Sequence, residues 1–287
     1  MFSFYLNYST MAKKVRQHEL RHIVAVSNNK GGAGKTSTVL NLASAIARRI
    51  EGYRVLVIDC DPQHNLSQFL KWEQQMELDG NPTLFTALCN QQGLPVYRAA
   101  NGLYFTPASL KLNGIDVFLS QLPNPNKALQ ELLARPIDNR TEGSVLGNLI
   151  SDSFDFVFID TQPAMSRMTY NAFYASDGYI ITTELEEASI SGMVNVAVAA
   201  GKVMADTGRL NIHGILITKQ DGRLRSAKLY EPQIRQSFQE TFKTVIRRSK
   251  DVSESQTLHE DVFASYGGGR AAEDYTALAT EYLKKFA

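Results

Sequence analysis

The residues best suited to chemistry lie in a glycine-rich segment, residues 28–37, which reads NNKGGAGKTS. Glycines let backbone N–H groups approach phosphate oxygens, because no Cβ atom stands in the way. At the start of the helix that follows, Lys35 is expected to reach the β- and γ-phosphates of a nucleotide, and Thr36 to bind Mg²⁺. A glycine-rich turn alone would not explain this Lys-Thr pair. The segment therefore predicts a phosphate-binding loop made of Lys30, Gly31, Gly32, Ala33, Gly34, Lys35, Thr36 and Ser37.

The loop departs from the general phosphate-loop pattern in two places. Asn29 occupies the position where that pattern has its first glycine. Lys30 adds a second lysine at the mouth of the loop, and it cannot easily reach the γ-phosphate that Lys35 already holds. Residue type alone leaves open whether Lys30 is a solvated loop charge or a functional residue.

Three aspartates end or follow predicted strands. Asp59 and Asp61 lie at and just after the end of the apolar run RVLVID, residues 54–59, and Asp160 ends the run FVFID, residues 156–160. Carboxyl ends of parallel strands open on one crevice, so these carboxylates are expected beside the phosphate loop. We predict that Asp61 polarises an attacking water, Asp59 orders the loop and the metal's water shell, and Asp160 holds Mg²⁺. One such aspartate is often only a cap or turn former, but three together favour function.

The elements that must position these residues follow from the apolar pattern. Strands are predicted at 22–28, 54–59, 156–160, 178–183 and 212–218, and helices at 35–50, 166–176, 188–206 and 226–241. The alternation predicts an α/β fold, a mostly parallel twisted sheet with helices on both faces. The stretch 80–145 is the least regular and is expected to carry insertions. Residues 1–21 are interpreted as an N-terminal arm without assigned chemistry, and residues 22–287 as one domain.

Composition restricts the partners and cofactors. Thirty basic and 29 acidic residues give a net charge of +1, so any DNA-binding surface must be a local patch. Cys60 and Cys89 are far apart and are expected to be thiols of a reducing cytosol, not a disulfide or zinc site. The five histidines show no metal-ligand spacing. No apolar run approaches the roughly 20 residues that span a bilayer.

With these motifs in place, the chain resembles the ParA family of plasmid and chromosome partition ATPases, which includes Soj. The leading Lys30 gives the KGGxGKT loop of the deviant Walker A type, and residues 59–65, DCDPQHN, match the family's DxDPQxN. Residues 159–163, IDTQP, match IDxxP. Weaker similarities follow in order at 171–172, 175–177, 218–223, 245–249 and 269–272. The resemblance runs from about His22 to the C-terminus.

The resemblance implies a function for the whole chain. Members form an ATP-dependent sandwich dimer with Mg²⁺, bind double-stranded DNA without sequence preference, and are switched by hydrolysis that a ParB-type centromere-binding protein stimulates. A cytoplasmic, nucleoid-associated location follows from that activity. In this family Lys30 crosses to the nucleotide of the partner subunit, and Asp61 takes the hydrolytic position. The cargo and the partner's binding face are not implied.

The resemblance also assigns residues to the base and to DNA. The adenine pocket is expected near Lys219, Gln220 and Asp221, with Arg247 close by. The DNA-binding positions are matched by Arg248 and Arg270, and the patch could extend to Arg223, Arg225, Lys228 and Lys250. A solvated helix face would look similar in sequence.

Departures from the family pattern are few. Arg247 stands where a proline usually precedes Arg248, which affects the adenine-side loop. Thr161 and Gln162 replace a cysteine-proline pair after Asp160. About 21 residues precede the first strand, where some plasmid members carry an operator-binding domain, so repression of its own transcription is not expected.

Several related functions were weighed against partition. A membrane-associated ATPase like MinD would need a basic amphipathic C-terminal helix. Residues 271–286 instead carry an apolar stripe beside acidic residues, which favours a helix docked on the core and no membrane contact. An iron–sulfur reductase would need a cysteine near Thr161. A small-molecule ligase and a scaffold without turnover remain open.

Overall fold

The computed structural model describes residues 20–49, 51–138 and 148–287. Of the proposed N-terminal arm, residues 1–21, only Leu20 and Arg21 fall within these ranges. Their N–H groups donate to the carbonyls of Ser151 and Asp155 at 3.1 and 2.8 Å. The boundary between arm and domain remains a prediction.

Seven strands in the described ranges form one sheet in the order β3-β4-β2-β5-β1-β6-β7. All neighbouring pairs are parallel except β3 with β4. The predicted α/β fold is therefore confirmed. The strands are β1 (His22–Ser27), β2 (Val55–Asp59), β3 (Tyr97–Arg98), β4 (Tyr104–Thr106), β5 (Phe156–Asp160), β6 (Gly178–Thr183) and β7 (Asn211–Ile217).

The helices connect these strands and cover them. They are α1 (Lys35–Ala47), α2 (Asn65–Phe69), α3 (Gln74–Leu78), α4 (Leu84–Asn90), α5 (Ile115–Leu119), α6 (Ala128–Leu133), α7 (Ile150–Ser153), α8 (Arg167–Ala175), α9 (Glu187–Thr207), α10 (Arg225–Ser237), α11 (Lys250–Thr257), α12 (Val262–Tyr266) and α13 (Arg270–Phe286). A 3₁₀ helix, Leu110–Gly114, precedes α5.

Both faces of the sheet are buried, because successive residues of a strand point to opposite sides. In β1, Val24 and Val26 pack with α1 and α13, whereas Ala25 packs with the helices of the other face, α8 and α9 among them. The strands β2 and β5 are buried along their whole length. Continuous apolar strands of this kind are what a parallel sheet between two helix layers requires.

The register of the central strands brings the catalytic candidates together. Asp59 of β2 lies opposite Asp160 of β5, and Val26 near the end of β1 pairs with Asp160 on the other side. The phosphate loop leaves β1 at the same edge of the sheet. The three predicted strand ends therefore meet at one crevice, as expected for parallel strands.

The described part of the stretch 80–145 contains only short elements: β3, β4, the 3₁₀ helix and helices α4 to α6, none longer than seven residues. This agrees with the expectation that the stretch is the least regular, while the expected insertions stay a prediction. Strands of two and three residues are too short to show a period. The helix predicted at 226–241 ends at Ser237, and Thr241 instead makes a parallel bridge with Ile215 of β7. Residues 139–145 lie outside the described ranges.

Helices α13 and α9 bear on the membrane alternative. The apolar stripe of α13 is buried against the sheet through Tyr275, Leu278, Ala279 and Tyr282. Helix α9 is, in the described residues, the one helix long and apolar enough to cross a membrane by length and composition alone. Its inner face is buried in the core, as in many helices of soluble proteins.

Candidate nucleotide site and basic surface

The phosphate loop borders a cavity of about 770 Å³ at the carboxyl edge of the sheet. Gly31, Gly32, Gly34, Lys35, Thr36 and Ser37 form one wall. Asp61 and Pro163 come from the loops after β2 and β5. The opposite wall comes from the C-terminal third of the chain, where Ile246, Val252, Gln256 and Tyr275 face the loop. The cavity is large enough for a nucleotide.

Two glycines of the loop are required by its backbone. Gly32 and Gly34 have φ angles of +77° and +83°, which residues with a Cβ atom rarely adopt. A Cβ on Gly34 would also lie 3.2 Å from the side chain of Thr218, whose hydroxyl donates to the carbonyl of Ala33 at 3.0 Å. Ala33 itself is buried and lies outside the cavity lining. Thr218 thus fixes the loop from the end of β7.

The N-terminus of α1 is suited to bind an anion. Gly34 is its N-cap, without a side-chain cap bond and without an acidic residue in the first turn, so the positive end of the helix faces the cavity. The Lys35 ammonium donates to the carbonyl of Lys30 at 3.1 Å. Burial lowers the pKa of Lys35, while the nearby carboxylates of Asp160 and Asp61 act in the opposite direction.

Asp59, the last residue of β2, and Asp61, just after it, have different surroundings. Asp59 is buried and accepts hydrogen bonds from the N–H and hydroxyl of Ser67 at 2.9 and 2.7 Å and from the N–H of Asp61 at 3.1 Å. These contacts tie Asp59 to the loop that follows it, but Asp59 is not among the described residues that line the cavity, and its role toward the metal's water shell stays a prediction. Burial raises its pKa to about 6. Asp61 does face the cavity, and one of its oxygens accepts from the N–H of Gln63 at 2.9 Å.

Asp160 has the chemistry of a metal-site residue. Both carboxylate oxygens are buried and lack a hydrogen-bond partner within the described ranges. Burial and then Asp59 raise its pKa well above the usual range, while the adjacent Thr36 hydroxyl and the Lys35 ammonium lower it. Buried polar atoms are normally satisfied, so these two oxygens are suited to accept hydrogen bonds from the water shell of a cation. Thr36 provides a hydroxyl between Asp160 and the cavity.

Lys30 is oriented differently from Lys35. It is not one of the described residues that line the cavity, and its ammonium forms an ion pair with Glu186 at the start of α9. The backbone N–H of Lys30 donates to the Asn28 side chain at 2.8 Å. Lys30 is thus close to the loop, yet it does not point at the nucleotide cavity of its own subunit.

The residues predicted around adenine are divided between two places. Lys219 lines the nucleotide cavity, has a φ of +49°, and donates to the carbonyl of Gly32 at 2.6 Å. Asp221 lies outside this cavity, in a smaller one, where Arg223 pairs with it at 2.7 Å. Arg247 borders both cavities, but its guanidinium binds Asp274 of α13 at 2.6 Å. The position of Asp221 does not fit direct contact with a base.

Three of the predicted DNA-binding residues border the smaller cavity, of about 440 Å³. These are Arg223, Arg248 and Arg270, all exposed, and Arg247 joins them. Arg225, in the first turn of α10, and Lys250, in the first turn of α11, are exposed but outside that lining. Lys228 is exposed on α10. The smaller cavity shares Arg247 and Arg248 with the nucleotide cavity, so the two sites have a common wall.

Sequence reasoning did not identify the residues of α11 that line the site. Val252, Ser253 and Gln256 lie on one face of this helix, and the Gln256 amide donates to the hydroxyl of Ser37 at 2.6 Å. No local signal marks them, since only the tertiary fold brings α11 over the loop. Glu184 and Glu186 were missed for the same reason.

A family comparison agrees with this geometry. Residues 21–210 match the family model described as an AAA domain. The chain is 31% identical over 268 residues to the chromosome-partitioning ATPase Soj of Thermus thermophilus, covering 91% of this chain and 95% of Soj. The chain belongs to the ParA/Soj family of P-loop ATPases. The predicted family and ATPase class of this ParA-family chain are thereby confirmed.

Solved structures show how widely the fold of this ParA-family ATPase is used. McdA of Cyanothece, solved as an ATP complex, has a TM-score of 0.77 at 18% identity, covering 94% of this chain and 98% of McdA. Cobyrinic acid a,c-diamide synthase of Mycobacterium smegmatis, solved with ADP and magnesium, has a TM-score of 0.71 at 23% identity, covering 92% and 95%. At these identities the likeness concerns the fold.

Proposed function

We propose that this ATPase is a DNA-segregation protein that pairs two subunits around MgATP and binds double-stranded DNA without sequence preference. Hydrolysis, stimulated by a ParB-type partner, then separates the subunits and releases the DNA. The observation that carries the nucleotide part is the pair of buried Asp160 oxygens, which have no hydrogen-bond partner among the described residues and lie next to Thr36 and the glycine-rich loop. The observation that carries the DNA part is the arginine cluster that shares a wall with that cradle.

The residues present fit ATP and Mg²⁺. Backbone N–H groups of residues 31–37 and the ammonium of Lys35 would hold the phosphates, while Thr36 contributes a hydroxyl to the metal and Asp160 accepts from its water ligands. Bound Mg²⁺ supplies charge neutralisation for the transferring phosphoryl group. One carboxylate and one hydroxyl are enough, because Mg²⁺ usually keeps several waters.

Within a subunit, the chain's own residues supply positioning more than covalent chemistry. Asp61 is held at the cavity edge by two contacts, its N–H to Asp59 and its carboxylate to Gln63. From there it orients the attacking water and accepts its proton. Lys35 stabilises the charge that develops between the β- and γ-phosphates. Hydrolysis in an isolated subunit is slow, because no further cation reaches the γ-phosphate.

Lys30 supplies that cation to the other subunit. It lies at the mouth of the loop but outside its own cavity, and its side chain is one-third exposed. A second copy facing the cavity would bring each Lys30 to its neighbour's phosphates. Pairing then depends on the γ-phosphate, and hydrolysis weakens it.

The DNA-binding surface also depends on the pairing of two subunits. Arg223, Arg248 and Arg270 are exposed side by side, and two subunits would present the cluster twice along a duplex. Contacts to phosphates are independent of base sequence and weaken steeply with salt. Nucleotide-dependent DNA retention in the cytoplasm, on the nucleoid, follows from this arrangement.

The test measures retention on a nonspecific duplex with ATP present. Replacing both Arg248 and Arg270 by alanine should abolish retention at moderate salt and reduce the salt slope by about 2, one for each lost phosphate contact. Nucleotide binding should be unchanged. The matched two-charge control is Arg98→Ala with Lys202→Ala, two exposed residues outside the smaller cavity, which should retain DNA normally.

Pairing is tested with the same proteins. Asp61→Ala should lose turnover but still form the ATP-dependent dimer, and Lys30→Ala should lose both. The proposal is contradicted if Asp61→Ala stays monomeric in saturating ATP. It is also contradicted if the variant without Arg248 and Arg270 retains DNA normally.

A further inference from the structure

Two of the predicted DNA-binding residues, Arg248 and Arg270, come from distant parts of the sequence yet border the same cavity. The segment of Arg248 is extended and pairs with Gln220, whose N–H donates to the carbonyl of Ile246 at 3.0 Å. The N–H of Arg248 in turn donates to the carbonyl of Gln220 at 2.9 Å. Arg270 is instead the first residue of α13. A duplex that binds both side chains needs these two segments at a fixed spacing.

Arg247 joins the two segments through Asp274, which lies one turn after Arg270 in α13. Its backbone N–H donates to Oδ2 of Asp274 at 2.9 Å. Its guanidinium donates to the same carboxylate through Nε at 2.9 and 3.0 Å and through Nη2 at 2.6 Å. The Asp274 side chain is 9% exposed, whereas that of Glu273, which Arg247 reaches at 3.2 Å, is 67% exposed. Asp274 is therefore the main partner of Arg247.

The contact with Asp274 separates the role of Arg247 from that of its neighbours. A DNA phosphate could bind the Arg247 guanidinium only by displacing a buried carboxylate, and a buried charge that loses its partner is costly. Arg248 and Arg270 are exposed and face no such competition from Asp274. Arg247 stands where the family pattern has a proline, which has neither an N–H nor a charge to offer Asp274.

We propose that Arg247 is a positioning residue that, through Asp274, holds Arg248 and Arg270 at the spacing at which both contact the DNA backbone. The inference rests on the proposed function, in which these two arginines bind phosphates. Without the Arg247–Asp274 contact, the start of α13 and the segment of Arg248 would shift relative to each other. One of the two phosphate contacts would then be lost.

The experiment compares Asp274→Asn with Glu273→Gln, which remove the same charge from adjacent residues. Retention on a nonspecific duplex is measured with a non-hydrolysable ATP analogue over a range of salt concentrations. Both substitutions make the surface more positive, so charge alone predicts tighter binding in both. The inference predicts the opposite for Asp274→Asn, about tenfold weaker retention and a salt slope smaller by about 1, for one lost phosphate contact. Glu273→Gln should bind DNA at least as tightly as the wild type.

A double-mutant cycle tests whether Arg247 acts through Asp274 or binds DNA itself. If Arg247 acts through Asp274, the variant that combines Arg247→Ala with Asp274→Asn should retain DNA no more weakly than the weaker single variant. Additive losses, about a hundredfold in the combined variant, would mean that Arg247 contacts DNA independently and would overturn the inference.

Two checks guard against a folding defect. Asp274→Asn should keep the rise in melting temperature that MgATP causes, because Asp274 is not among the described residues that line the nucleotide cavity. Arg247→Lys leaves the buried carboxylate in place and keeps the charge, but it loses the planar donors and should also weaken retention.

The outcomes separate the inference from the proposed function. Wild-type or tighter retention by Asp274→Asn, or wild-type retention by Arg247→Lys, overturns the inference and leaves the proposed function intact. If instead the variant without Arg248 and Arg270 retains DNA normally, the proposed function fails, and the inference fails with it.

Discussion

At the scale of single residues, the phosphate loop is constrained by its neighbours as much as by its own sequence. Thr218 lies within 3.2 Å of the position that a Cβ on Gly34 would take, and its hydroxyl holds Ala33. Lys219, the next residue, reaches over to Gly32. The residues just after β7 therefore stabilise the conformation of the phosphate loop, which follows β1.

Gly34→Ala should accordingly destabilise the nucleotide-free protein. The positive φ and the contact with Thr218 together should lower the free energy of unfolding by about 1–3 kcal/mol. Gly31→Ala is the control, because a Cβ there would have no atom of the described residues within 4 Å and the φ angle is not positive. Urea unfolding followed by circular dichroism measures both. Equal stability of the two variants would contradict the prediction.

At the scale of elements, α13 is locked to the sheet by an aromatic and histidine cluster. His213 of β7 stacks on Phe286 with ring centroids 3.9 Å apart, and its Nδ1 is 3.0 Å from the Tyr282 hydroxyl. His22 contacts His213 edge-on. Burial, together with the smaller effects of the neighbouring His22 and Lys285, lowers the pKa of His213 to about 3. The pKa of His22 is also lowered by burial, against an opposing effect of Asp177.

Acid should therefore loosen α13. Because the folded pKa of His213 lies below the unfolded value, the unfolded chain binds more protons between pH 6.5 and about 3, and stability falls as pH drops through that range. The slope should approach about 1 kcal/mol per pH unit. His213→Gln should flatten it, whereas His259→Gln, at an exposed position, should not. Urea unfolding at pH 7, 6 and 5 measures the slope, and equal slopes in both variants would refute the assignment.

The sequence was sufficient for elements that have a clear period and insufficient for those that do not. Strand β6 was predicted with its observed bounds, because GYIITT is apolar and β-branched between turn residues. Strand β3 has two residues and takes its identity from pairing with β4. Helix α11 carries no apolar stripe of its own, and its role follows from contacts across the cavity with the start of α1.

At the scale of the whole molecule, the nucleotide cavity lies between residues that are far apart in the sequence. Residues 31–37 form one wall of the cavity and α11 and α13 contribute to the other, so a ligand bound between them stabilises both. Binding to the folded state alone adds about 2.7 kcal/mol when the ligand is at 100 times its Kd. Motif reading located the first wall, whereas the second depended on distant packing.

MgATP should raise the melting temperature of the wild type measurably, and Lys35→Ala should lose most of this increase. Lys30→Ala should keep it in dilute, monomeric protein, because Lys30 is not among the described residues that line its own cavity. Differential scanning fluorimetry at low protein concentration measures the three shifts. An equal loss in both lysine variants would mean that Lys30 contacts the nucleotide of its own subunit.

The sole tryptophan of the chain is placed where it can serve as an intrinsic optical probe. Trp72 is 5% exposed, lies 4.8 Å from the ring of Tyr97, and donates its backbone N–H to Ser67, the residue that holds Asp59. We therefore expect a shift of the loop that carries Asp61 to change the surroundings of Trp72 through Asp59 and Ser67. Stopped-flow emission could follow closure of the site in unlabelled protein, without a dye on the nucleotide.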